Sequence, residues 1–161
     1  MADSFSPVEA APLSTIRRVL LWTLAFGAAG MTTELLLIGH DESASQFVPL
    51  VLLASGIVMA VVVIAKPTPM TLRFLQVLMV AFLASGVIGV GLHYQGNEEF
   101  ELEMYPSLSG LELAAKTFAG ATPVLAPGSM SLLGIVGLVF TYRHPLLGGG
   151  RRADSTKEDH P

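Results

Sequence analysis

Four apolar stretches alternate with polar segments along the chain, at about 18–39, 48–65, 72–92 and 124–142. A helix needs roughly 20 apolar residues to cross a hydrocarbon core about 30 Å thick. The first three stretches reach that length. The fourth is continuous only from Gly128 to Tyr142, which is short for a crossing on its own. Before it, Leu108, Leu111, Ala115 and Phe118 recur at helical spacing, with Ser109, Glu112 and Lys116 on the opposite side. Ser109 and Glu112 have capping-box spacing, and Glu112 and Lys116 form an i,i+4 pair. This predicts an amphipathic helix over about 108–120 on the membrane surface, a break near Pro123 or Pro127, and then the fourth span. A single long helix kinked at those prolines is the alternative.

The predicted fold is therefore an all-α integral membrane protein. Four transmembrane helices occupy 16–145, with the short amphipathic helix on the outer face. The polar ends, 1–15 and 146–161, carry too little apolar surface to bury and are expected to be disordered. The segment HYQGNEEFELEMYPS, 93–107, reads as a surface loop. Gln95-Gly96-Asn97 is a turn signal, and Phe100, Leu102 and Met104 alternate with glutamates at a strand-like period of two. The basic start STIRRVLLW resembles a signal peptide, but the apolar run continues past Glu34 to full spanning length.

Composition strengthens the membrane reading. Hydrophobic residues make up 52% of the chain and charged residues 14%, where a soluble domain has about a quarter charged. The mean hydropathy is +0.61. No cysteine is present, which excludes disulfides, thiolate metal sites and thiol catalysis.

The charges sort by side. With four spans, Arg17, Arg18, Lys66, Arg73, Arg143, Arg151, Arg152 and Lys157 share one side, and only Lys116 falls on the other. By the positive-inside rule both termini are expected to be cytoplasmic, and the chain is expected to be a multi-pass protein of the cell membrane, a bacterial inner membrane. The outer connections are acidic.

Residues 15–30 and 71–86 share a threonine, an arginine, an Ala-Phe pair and a glycine at one offset. Spans two and four share Gly-Ile-Val, at Gly56 and Gly134. This is the pattern of a tandem duplication of a two-helix hairpin. Chance recurrence among the few letters of apolar segments is the alternative.

Lipid supplies no hydrophobic drive for helix association, so small residues should mark the contacts. Thr23, Gly27, Gly30 and Glu34 share one face of span one, and Ala81, Ser85, Gly89 and His93 one face of span three. Span four offers Gly134 and Gly137. These faces are expected inward, in a four-helix bundle.

Both small faces lead to an ionisable residue near the outer boundary. Glu34 lies about 24 Å along the helix from Arg18. Glu34 and His93 are candidate ligands at the outer mouth, with His40, Asp41, Glu42 and Glu98 around the rim. Imidazole and carboxylate together suit a divalent cation or proton transfer. Haem ligation by His40 and His93 is less apt, because the rim is exposed. No other cofactor is implied. No Walker loop, dinucleotide fingerprint, HExxH, Gly-x-Ser-x-Gly or basic aromatic patch occurs, so no enzyme chemistry or nucleic-acid partner is expected. The expected role is an accessory or assembly subunit of a membrane complex. It would lie in the lipid bilayer as a homo-oligomer or with a membrane-protein partner. The alternative is a small oligomeric cation or proton transporter using Glu34 and His93.

Overall fold

The computed structural model describes residues 7–40 and 43–148, with the side chains of 7–11 excepted. These residues form five α-helices: α1 (Pro7–Leu37), α2 (Ala44–Ala65), α3 (Pro69–Met104), α4 (Gly110–Phe118) and α5 (Gly128–Thr141). A 3₁₀ turn, Pro145–Leu147, follows. No strand occurs among the described residues. Three helices are long and apolar enough to cross a membrane: Pro12–Leu37, Ala44–Ala65 and Pro69–Met104.

The helix ends follow local chemistry. Gly39 takes a left-handed φ of +67° just past α1, a conformation that costs glycine nothing. The His40 N–H then bonds the Leu35 carbonyl at 2.9 Å and the Gly39 N–H bonds that of Leu36 at 3.3 Å. This Schellman closure satisfies the last carbonyls of α1 and sets the direction of His40. Thr68 caps α3: its hydroxyl accepts from the Thr71 N–H at 3.1 Å, and the Thr71 hydroxyl accepts from the Thr68 N–H at 2.9 Å. Pro69 occupies the first turn, where a missing N–H is harmless.

α1, α2, α3 and α5 surround one apolar core. α2 packs against both α1 and α3, and α5 does the same from the other side, most extensively along α3. Leu24, Leu53, Leu72, Leu75, Met79 and Phe82 are fully buried at its centre. α4 packs on α3.

Several elements differ from the sequence expectation. α1 begins at Pro7, so 7–15 is helical rather than disordered. Pro7 suits a first turn, and Ala10 and Ala11 are strong helix formers. Residues 1–6 lie outside the described residues, as do 149–161 of the tail. The tail's first residues belong to the fold, because Leu147 packs against the core. α3 continues to Met104, about 54 Å in all. The expected loop over 93–104 is therefore helix. Glutamates favour a helix once its far side is held, and Asn97 holds it, as described below. α4 leaves Leu111 and Phe118 largely exposed and buries Thr117 instead. Its Glu112–Lys116 pair forms at 3.9 Å, while Ser109 makes no side-chain cap.

Of the two proposed repeat pairs, spans two and four bury their matching glycines, Gly56 and Gly134, while spans one and three face differently. At the offset of the latter pair Phe82 and Gly86, both buried, correspond to Phe26 and Gly30, which face outward.

Candidate functional site

At the acidic end of the bundle, α3 and the α4–α5 linker build a cap. Asn97 is 3% exposed. Its amide nitrogen donates to the Thr117 and Thr122 carbonyls at 2.9 and 2.7 Å, and its oxygen accepts from the Thr122 N–H at 3.1 Å. Tyr94 meets Phe118 edge-on at 5.3 Å between ring centroids. His93 places Nδ1 3.0 Å from the Pro123 carbonyl oxygen. A carbonyl can only accept, so that nitrogen carries the proton.

The structure brings some rim residues together and not others. His40, delivered by the Gly39 turn, stands with its ring centroid 6.4 Å from that of His93. Glu34 is exposed on the flank of α1, away from the core-facing Met31 and Leu35. Among the described residues no ion pair joins it to His93, and no group of three His, Asp or Glu side chains is arranged to hold a metal. Glu98 is half-buried on α3. Asp41 and Glu42 lie outside the described residues.

The packing residues divide in the same way. A Cβ on Gly134 would stand 2.7 Å from the Met79 carbonyl oxygen, and one on Gly137 would collide with the Met79 side chain. Gly89 faces Pro127 and Gly27 faces Leu133, each at 2.7 Å. The Ser85 hydroxyl approaches the Met130 sulfur at 3.9 Å. Among the described residues nothing packs on Gly30: no atom beyond its own stretch of helix lies within 4 Å of a Cβ placed there. The expected inward face of α1 is thus turned by a fraction of a turn: Leu21, Leu24 and Ala28 are buried, while Thr23, Gly30 and Glu34 are exposed.

No family model, curated protein or solved structure matches this chain.

The outward face of α1 carries Thr23, Phe26, Gly30, Thr33, Glu34 and Leu37. Phe26 is 83% exposed. The Thr33 hydroxyl donates to the Ala29 carbonyl at 2.9 Å, which satisfies it within the helix. A carboxylate is an acceptor only, and helix carbonyls offer it no donor.

At the opposite, basic end lies a second feature. A cleft of about 670 Å³ opens between α1, the end of α2 and the chain after α5. Arg17, Arg18 and Trp22 line it from α1, Val63 and Ile64 from α2, Phe140 from the end of α5 and His144 from the segment that follows. The Arg17 guanidinium donates to the Arg143 carbonyl at 3.2 Å. Arg143 adopts a φ of +46°, unusual for a residue with a Cβ. The His144 Nδ1 accepts from the Leu146 N–H at 3.3 Å. Burial, and then the Arg17 charge, hold its imidazole below the usual histidine pKa. In the sequence, Arg17, Arg18 and Arg143 enter only as charges that set sidedness. Nothing local in the sequence joins Arg17 to Arg143 or His144.

Proposed function

We propose that the chain is a small non-catalytic subunit of a membrane complex, docking a partner's transmembrane helix on the outward face of α1. One observation carries this reading: Glu34 and Gly30 stand exposed on an apolar helix, with nothing among the described residues packed over Gly30. An ionisable residue facing lipid is costly, and pairing relieves it.

The core supplies a parallel. The Ala-Phe pair and glycine of α3 seat its neighbours: Gly56 of α2 meets Phe82, and Ser131 of α5 meets Gly86. α1 carries the same residues, and there Phe26 and Gly30 turn outward while Ala25 packs against the core. A partner helix suited to that face would present a small residue at Gly30 and a hydrogen-bond donor, cationic or amide, opposite Glu34.

The proposal includes four crossings, with both termini cytoplasmic. α5 has 14 residues, about 21 Å. The i→i+3 bonds that run from Pro123 to Met130 extend its reach by roughly 10 Å. The one-sided distribution of Arg and Lys supports the same count. The transporter reading needs Glu34 and His93 in one site, and nothing in the fold favours it.

The absence of native cysteine makes the test clean. Gly30→Cys, in native membranes, should crosslink to a second polypeptide heavier than a dimer of this chain would allow. Adding Glu34→Ala should reduce the adduct several-fold. Val77→Cys, exposed on α3, should give no adduct. A Gly30→Cys adduct indifferent to Glu34, or matched by Val77→Cys, would sink the proposal. A symmetric disulfide dimer would make the partner a second copy instead.

A further inference from the structure

We infer that the cleft at the basic end binds an anionic phospholipid. Its phosphodiester would lie between Arg17 and Arg18, and its acyl chains along Trp22, Val63, Ile64 and Phe140. This inference does not rest on the partner helix at Glu34, which concerns the other end of α1.

Four observations carry it. The cleft, at about 670 Å³, is of the size that encloses a small ligand. Its lining joins two chemistries: Arg17 and Arg18 stand about one helical turn before Leu21 and Trp22 on α1, and His144 follows Phe140 by four residues, beside Val63 and Ile64 of α2. Among the described residues, no carboxylate lines it. Finally, it sits where the apolar helices begin, at the end that carries Arg73 and Lys66 as well. That is the depth of lipid headgroups, where tryptophan is favoured and basic pockets between helices take anionic lipids.

The details fit an oxyanion. Arg17 is held across the cleft by the Arg143 carbonyl, so part of its ordering cost is met before a ligand arrives. Because the His144 Nδ1 accepts from Leu146, the neutral ring carries its proton on Nε2, as a donor. A soluble phosphate could use the same arginines but would leave the apolar lining uncovered. The mixed lining favours the lipid.

Trp22 is the only tryptophan in the chain and lines the cleft, so it reports occupancy directly. The full chain, in a neutral maltoside detergent, would be titrated with phosphatidylglycerol or phosphatidylcholine bearing brominated acyl chains. Half-maximal quenching of Trp22 should need on the order of tenfold less phosphatidylglycerol, given two cations near the headgroup. Arg17→Gln combined with Arg18→Gln should abolish that preference while leaving quenching by phosphatidylcholine unchanged. Arg18→Gln alone changes an exposed residue, keeps the Arg17–Arg143 contact, and should reduce the preference several-fold. Arg73→Gln, at the same end but outside the cleft, should preserve it. Equal quenching by the two lipids would overturn the inference. So would an equal loss with Arg73→Gln, which would mean diffuse surface charge. Recovery of fluorescence on adding millimolar inorganic phosphate to the phosphatidylglycerol sample would overturn the lipid in favour of a free phosphate.

Discussion

Glycines separate the two sides of this bundle residue by residue. A Cβ on Gly86 would stand 2.6 Å from the Ser131 nitrogen and 2.8 Å from the Pro127 carbonyl oxygen, both backbone atoms that cannot swing aside. Gly30 has open space. Gly86→Ala should therefore destabilise the purified chain by about 1–3 kcal/mol through overpacking. Gly30→Ala should be neutral, or stabilise by up to about 1 kcal/mol, since alanine favours helix. Thermal unfolding of the two variants in one detergent checks this. A Gly86→Ala protein as stable as Gly30→Ala would contradict the α3–α5 contact. The sequence marked all these positions as small. It could not say which of them were contacts, because smallness is a property of the residue and closeness is a property of the neighbour.

Helix α3 shows how one side chain decides an element's length. Its apolar run ends at Leu92, yet the helix continues for twelve residues to Met104. Asn97 reads locally as part of a turn. Once Thr117 and Thr122 are beside it, its amide is worth more as a clasp within a helix. Removing that clasp leaves the Thr122 N–H and two carbonyls to find other partners. Asn97→Ala should cost about 2–3 kcal/mol. Hydrogen exchange should rise in 117–123 and in the end of α3, but not in α2. Asn97→Asp should not rescue it, since a carboxylate would face the Thr117 and Thr122 carbonyls with no proton to give. Uniform exchange across the bundle in Asn97→Ala would show that the cap is no separate unit. The candidate rim was legible in part: His40 and His93 do stand near each other. Glu34 was misplaced because its face was read from small residues rather than from shape.

Across the whole molecule, the distribution of charge and the packing make one claim that can be tested by labelling. Single cysteines at Lys66, Ser107 and Tyr142 probe three connections. A membrane-impermeant maleimide should label Ser107→Cys in intact cells, and Lys66→Cys and Tyr142→Cys only after lysis. If Tyr142→Cys labelled with Ser107→Cys, α5 would not cross, and three spans would remain. The two ends of the bundle then have separate chemistry. Glu34 stands exposed on α1 toward one end, and the cleft lined by Arg17 and Arg18 opens at the other.

The apolar helices α1, α2 and most of α3 could be read along the chain because hydropathy, length and caps are local. Thr68 and Gly39 mark ends with the atoms of their own neighbourhood, and the charge bias needs only counting. The facing of α1, the extension of α3 and the basic cleft could not be read that way. In lipid a helix has no amphipathic stripe to orient it, so its inward side is chosen by shape against partners. Those partners are distant in sequence: Arg17 finds Arg143 across 126 residues, and Asn97 finds Thr122 across 25. Only the packed bundle makes them neighbours.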